Sequence, residues 1–262
     1  MRKTLLSAAA VLSAALTLGA LSSSAHASSG GYVALGDSYS SGDGAGNYYS
    51  DSGSCLRSPN AYPALWAAAH SPSSFNFVAC AGAKVPDVES SQLSAVTSAT
   101  SLISITIGGN DIGFSSVMQT CVLGSDSDCE NAVTAAENQA RTSLAPALSG
   151  LFSQIRGRAP SAHVDVLDYP HLYDLSAWFC IGLDSTKHQV LNQGADVLDG
   201  VISTATSNAG FTFADVRSQF SGHELCSGDG WLHSVTYPID ESYHPTATGQ
   251  ADGYLPVFSL HT

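Results

Sequence analysis

Ser38 sits in the run Gly36-Asp37-Ser38-Tyr39-Ser40-Ser41-Gly42, directly after the apolar segment Tyr32-Val33-Ala34-Leu35. A β-branched and aromatic run that stops at a Gly-Asp-Ser turn puts a hydroxyl at the carboxyl end of a strand, where open α/β sheets place their ligands. Ser38 is therefore a candidate nucleophile, although Gly, Asp and Ser also make ordinary turns. Acyl transfer by serine needs a base to take its proton and donors aimed at the oxyanion of the tetrahedral intermediate. Two further turns have the composition to supply donors, Ala81-Gly82-Ala83 and Gly108-Gly109-Asn110-Asp111. Glycine at 82 allows close backbone approach to a substrate, and the Asn110 amide is a neutral donor that cannot attack. Nine histidines compete for the role of base. His26 belongs to a segment expected to be removed, and His70 and His163 fall at element edges, where a solvated imidazole is the default. His171, His223, His233 and His244 lie in loops, and position alone favours none of them.

The elements that must position these residues are legible as alternating strands and helices. Strands are expected at Tyr32 to Leu35, Phe75 to Cys80, Ser101 to Ile107, His163 to Asp168 and Phe211 to Ala214, the third alternating strictly. The first three each stop at a small-residue or Gly-containing turn, and the fourth stops at Tyr169-Pro170. Helices are expected over Ala61 to His70 with Asn60 as cap, Ile112 to Met118, Asn131 to Arg156 with a break or kink near Pro146, Lys187 to Asn208, and Thr246 to Phe258. A polar helix or irregular stretch covers Val88 to Thr97. Ser40 to Asn60 is a long polar loop, and long ordered loops in compact domains tend to be functional. Ser218 to His244 has no clear period and is expected to be an irregular excursion held by Cys226. Strands alternating with helices imply an α/β fold, a mainly parallel five-stranded sheet covered on both faces as a three-layer α/β/α sandwich.

Residues 1 to 27 carry Arg2 and Lys3, an apolar stretch and then Ala25-His26-Ala27, the pattern of a removable export signal. The remaining 28 to 262, about 235 residues, fit one domain. The protein is expected to be secreted, extracellular and soluble. Nine Lys and Arg against 22 Asp and Glu give a formal charge of −13, and loss of Arg2 and Lys3 would make it more negative. That balance argues against nucleic-acid binding and against electrostatic adsorption to anionic lipid. Six cysteines in an exported chain suggest three disulfides, with Cys121 and Cys129 the easiest local pair. Zinc is the rival explanation, but no C-x-x-C or C-x-x-H spacing occurs. No G-x-S-x-G elbow surrounds any serine, so an α/β-hydrolase is disfavoured.

Taken together, Gly36-Asp37-Ser38, Gly82, Gly108-Gly109-Asn110-Asp111 and Tyr243-His244-Pro245-Thr246 resemble, in order and relative spacing, the four blocks of the SGNH hydrolases, the GDSL esterase and lipase family. The resemblance spans essentially the whole chain after the leader and implies a flavodoxin-like fold. It implies that Ser38 attacks an ester carbonyl, that the N–H groups of Ser38 and Gly82 and the amide of Asn110 form the oxyanion hole, and that His244 is the base. The family usually has Asp three residues before this histidine, and here that position is Glu241. The opening motif, the six cysteines and Ser242-Tyr243-His244-Pro245 are most similar to a secreted actinobacterial subgroup in which a main-chain carbonyl replaces the acid. On that resemblance the carbonyl of Ser242 orients His244, with Glu241 as the alternative third member. The same resemblance implies the pairs Cys55–Cys80, Cys121–Cys129 and Cys180–Cys226.

The activity so implied is a serine carboxylic-ester hydrolase without metal or cofactor, acting on acylglycerols or phospholipids, monomeric, and touching lipid interfaces at most transiently. Tyr48, Tyr49, Trp178, Phe179 and Trp231 are the aromatics placed in rim loops. A carbohydrate esterase that deacylates plant polymers is the alternative on the same fold. A non-enzymatic binding module is the remaining reading, and it leaves the four-block coincidence unexplained.

Overall fold

The computed structural model describes residues 30–262, so the expected leader, with His26, lies outside the described residues. Five strands form one parallel sheet: β1 Gly31–Gly36, β2 Ser74–Phe77, β3 Thr100–Thr106, β4 His163–Leu167 and β5 Thr212–Ala214, in the order β2-β1-β3-β4-β5. This 2-1-3-4-5 order is flavodoxin-like, and its switch point lies between β1 and β3, the two strands whose ends carry Ser38 and Asn110. The sheet is wholly parallel, and β1 is buried throughout because helices cover both faces.

The helices are α1 Ser38–Ser41, α2 Tyr62–His70, α3 Val85–Asp87, α4 Phe114–Leu123, α5 Asp126–Gln139, α6 Ala145–Arg158, α7 Ser185–Asn208, α8 Arg217–Phe220 and α9 Leu255–Ser259. On one side α2 packs on α9, where Tyr32 meets Trp66, Phe75 and Phe258 with ring centroids 5.0–5.7 Å apart. Along β1 and β3, Val33, Leu35, Ile103 and Ile105 alternate to the other face, and α4 packs on α5, α5 on α7 and α7 on α6. All strands and all long helices were legible from pattern, but several boundaries moved.

The second strand stops at Phe77, because Val78, Ala79 and Cys80 turn their N–H groups onto the carbonyls of Ala34 and Gly36 as the chain peels away toward Gly82. Asn60 does not cap α2. Its amide donates to the Ala45 carbonyl at 2.8 Å, Ala61 occupies the cap without a side-chain bond, and the buried N–H of Tyr62 is taken by Gln250 Oε1. The expected Asn131 to Arg156 helix begins five residues earlier, where Ser125 and Asp128 form a capping box. It is interrupted by a wide π turn over Ala140–Leu144, immediately before Pro146, whose missing N–H and ring exclude a regular turn there. The helix expected from Ile112 runs instead from Phe114 to Leu123. The last helix is regular only from Leu255, after a π turn over Gly249–Tyr254.

All six cysteines are in disulfides, Cys55–Cys80, Cys121–Cys129 and Cys180–Cys226, which removes the zinc alternative. The first ties the polar loop beside Ser38 to the exit of β2, where the Ala81 N–H also donates to the Cys55 carbonyl. The third anchors the irregular Ser218 to His244 excursion to the loop after β4.

Candidate functional site

The turn after β1 is forced by its glycine. Gly36 has φ +122°, and a Cβ there would lie 2.5 Å from the Thr106 carbonyl oxygen and 2.9 Å from Ser40 Oγ. Its N–H and C=O are both bonded by the Gln92 amide at 2.8 Å. Asp37 then caps α1, accepting the Tyr39 N–H at 3.1 Å. Ser38 is the first residue of that helix, so its N–H has no intrahelical acceptor.

His244 is brought to Ser38 across the molecule. Its Nε2 lies 2.7 Å from Ser38 Oγ. The histidine segment is clamped from two sides: Tyr39 donates its hydroxyl to the Tyr243 carbonyl at 2.7 Å, and His233 and Tyr243–His244 exchange main-chain bonds. The ring of Tyr39 packs on the imidazole, centroids 5.3 Å apart. Burial pushes the imidazole down to about 4, against the stabilising main-chain carbonyls of Asp240 and Ser242 and the negative charge of Asp240. At neutral pH it is the free base. Nδ1 is buried and makes no hydrogen bond among the described residues. Glu241 points elsewhere, its carboxylate accepting the Tyr48 hydroxyl at 2.7 Å.

Gly82 has φ +78° and nothing within 4 Å of where a Cβ would stand, so the chain there faces open space. Asn110 donates one amide N–H to the Ala83 carbonyl at 3.1 Å and has no other side-chain hydrogen bond among the described residues, which leaves the second N–H for a ligand. Its turn is braced by Asp111, whose carboxylate accepts the Val85 N–H at 3.0 Å. Ser38, Gly82, Asn110 and His244 line one cavity of about 300 Å³, walled by Ile112, Phe114 and Val117 on one flank and by Leu172, Leu191 and Leu198 on another. The four residues singled out in the sequence thus converge on one apolar cavity.

Tyr169 is a residue that pattern reasoning did not select. Its hydroxyl accepts the Gly109 N–H at 3.1 Å and donates to Asp37 Oδ2 at 2.5 Å. The other Asp37 oxygen accepts from Thr106 Oγ1 at 2.7 Å. One phenol therefore joins the turn that carries Ser38 to the turn that carries Asn110. Burial raises the Asp37 carboxyl to about 6, opposed by the hydrogen bonds from Thr106, Tyr169 and Tyr39. The available signal was position, since Tyr169 follows the fourth strand at the carboxyl edge of the sheet. Asp43, also on the cavity wall, had no such signal.

The other loop histidines serve elsewhere: His171 pairs with Asp196 at 2.9 Å, His223 stacks on Trp231, and His233 donates to the Gly44 carbonyl at 2.8 Å. The rim-aromatic expectation needs correcting. Trp231 is buried between His223 and Phe220, and Tyr48 is a brace between Gly44 and Glu241. Tyr49, Trp178 and Phe179 are exposed, Trp178 at 97%, together with Leu175 and Ile181 in the same loop. No helix among the described residues is long and apolar enough to cross a membrane.

The profile of the GDSL-like Lipase/Acylhydrolase family matches residues 34–251. Lipase 1 of Streptomyces coelicolor is 55% identical over 229 residues, which is 87% of this chain and 85% of that one. Among solved structures, phospholipase A1 from Streptomyces albidoflavus superposes with a TM-score of 0.87 at 52% identity, covering 89% of this chain and 100% of the other. The extracellular lipase from Streptomyces rimosus does so with a TM-score of 0.88 at 50% identity, over the same shares.

Proposed function

Because the chain belongs to the GDSL-like lipase and acylhydrolase family, and is thus a carboxylic ester hydrolase, we propose that it is a secreted enzyme that cleaves lipid esters through an acyl-enzyme on Ser38. The observation that carries this reading is the 2.7 Å contact between Ser38 Oγ and His244 Nε2, inside a cavity that also holds Gly82 and Asn110.

His244, neutral at working pH, takes the Ser38 proton as Oγ attacks the ester carbonyl. The oxyanion that forms meets the N–H groups of Ser38 and Gly82 and the free N–H of Asn110. The imidazolium then gives its proton to the leaving alcohol, and water repeats the sequence in reverse on the acyl-enzyme. The main-chain carbonyls of Asp240 and Ser242, which favour the protonated ring, are the groups we assign to its orientation, without a hydrogen bond to the resting Nδ1. Glu241, held by Tyr48, is outside this set. The apolar walls suit an acyl chain, and the exposed Leu175, Trp178, Phe179 and Ile181 follow Leu172 of the cavity wall along the chain. A leader over 1–27, action as a monomer and only transient contact with lipid are parts of the same proposal.

The test is hydrolysis of p-nitrophenyl esters from acetyl to palmitoyl, and of phosphatidylcholine, by the protein and its Ser38→Ala variant. Ser38-dependent activity rising toward medium or long chains, with fatty acid released from the phospholipid, is expected. Activity confined to acetyl esters would transfer the protein to polysaccharide deacylation.

A further inference from the structure

Asp43 is a buried acid that the mechanism above leaves unused. It is 2% exposed and lines the cavity with Ser38 and His244. Its Oδ2 lies 3.9 Å from His244 Nε2, the nitrogen that bonds Ser38 Oγ, and its Oδ1 is buried without a hydrogen-bond partner. The glycines on either side hold it there. Gly42 has φ +87° with Ala61 Cβ 2.6 Å from its would-be Cβ, and Gly44 has φ +88° with the Pro245 carbonyl oxygen at 2.8 Å and His244 Cβ at 3.0 Å. No side chain can be added at either without displacing the histidine segment or the turn that leads into α2. The Asp43 N–H donates to the Ser38 carbonyl at 3.1 Å.

The charged and titratable groups that face Asp43 are His244 itself, Asp240 and Glu241 from the excursion before it, and the phenols of Tyr39 and Tyr48; His233 reaches the adjoining Gly44 carbonyl. Among the described residues no lysine or arginine pairs with it. A carboxylate buried among acids and without a cation is costly unless a cation forms beside it.

Resting on the Ser38–His244 reading, we propose that Asp43 is a positioning residue for the reaction, the counter-charge that stabilises the His244 imidazolium from its Nε2 side. In the resting enzyme it faces a neutral ring and gains little. Once His244 has taken the Ser38 proton, the positive charge appears 3.9 Å away and the attraction is realised, so the gain falls on the transition state. The proton stays on His244 until it passes to the leaving alcohol, and Asp43 exchanges none. Its ionisation then sets the pH dependence: burial, with Asp240 and Glu241, pushes the carboxyl up to about 7, opposed by the Gly44 N–H. Above that pH it is charged and useful, whereas His244 is already neutral from about pH 4 upward.

The experiment is kcat/KM for p-nitrophenyl butyrate between pH 5 and 9, with thermal melts at pH 4 and 8.5, for the protein and Asp43→Asn, Asp43→Glu and Ser38→Ala. The protein should show a limb rising through about pH 7. Asp43→Asn should lose that limb and fall about tenfold at pH 8.5, the equivalent of one pKa unit of imidazolium stabilisation, while Asp43→Glu keeps a rising limb. Asp43→Asn should also melt higher than the parent at pH 8.5 and lose that advantage at pH 4, because it removes a buried charge; a merely structural Asp43 would give a variant that melts lower at both. An Asp43→Asn enzyme that keeps the limb, or stays within twofold of the parent at pH 8.5, overturns the proposal. Labelling by a serine-directed phosphonate separates the two failures: no Ser38-dependent labelling means that the Ser38–His244 reading is wrong, whereas normal labelling with an unchanged limb removes Asp43 alone.

Discussion

Tyr169→Phe deletes one oxygen and cuts the link between the two halves of the site. Two groups lose their partner. The buried Gly109 N–H loses its acceptor, which costs about 1–3 kcal/mol, and the Asp37 carboxylate loses one of three donors, a charge-assisted bond worth about 1.5–3 kcal/mol. A loss of about 3 kcal/mol lowers the melting temperature of a domain of this size by roughly 6–12 °C. The pH dependence identifies the source. Asp37 has a folded pKa of about 6, above its unfolded value, so the stability it contributes is complete below the unfolded pKa and is lost as pH rises through the folded one. Without Tyr169 the folded pKa climbs further, and more is lost before the carboxyl finally ionises. The variant's deficit should therefore be smaller at pH 4.5, where only the Gly109 share remains, and larger at pH 8. Circular dichroism melts at both values, with kcat on p-nitrophenyl butyrate normalised to phosphonate-titrated sites, measure this; kcat should drop about tenfold as the Asn110 turn slackens. A Tyr169→Phe protein that melts within about 2 °C of the parent at pH 8, with no change in the deficit between the two pH values, would refute the coupling.

Three further outcomes are expected. Asn110→Ala should lower kcat by about a hundred- to a thousandfold with little change in KM, since the amide meets charge that exists only in the transition state. Glu241→Gln should leave kcat within about threefold in steady-state assays, because Glu241 accepts from Tyr48 rather than facing His244; a loss of about a thousandfold would restore a triad. The melting temperature should fall between pH 6.5 and 8.5, as Asp43, raised to about 7, Asp168, raised by burial and by the charge of Asp215, and Asp199, raised by burial and by Asp168, are charged against their surroundings. His244, lowered to about 4, contributes fully above its unfolded pKa and so does not oppose that fall; a flat or rising melting curve would contradict it.

What could be read without coordinates was whatever is carried by a few adjacent residues. The apolar runs ending in glycine turns located β1 and β3, and the turns supplied Ser38 and Asn110 because strand ends at a switch point need no long-range information to be recognised. Helix starts were less legible. Asn60 has the right chemistry for a cap, but Ala45 competes for its amide, and Gln250, far along the chain, satisfies the Tyr62 N–H instead. Tyr169, Gln92 and Asp43 were missed for one reason: each meets a group between 56 and 201 residues away, and neither periodicity nor turn chemistry reports contacts at that range. Trp231 shows the converse error, an aromatic in an irregular segment that looks like rim until His223 and Phe220 are seen to enclose it.

The clamp of Tyr39 on the Tyr243 carbonyl spans 204 positions, and its consequence concerns time as well as geometry. Ser38, the proposed nucleophile, leaves the ribosome early and His244, its proposed base, almost last, so a growing chain would hold every proposed oxyanion donor and yet no hydrolase. Contacts of such long sequence separation also cannot form until nearly the whole chain is available, and they slow folding. On the proposed mechanism the chain is therefore born silent, and any truncation short of the histidine segment should yield a protein without ester-hydrolase activity.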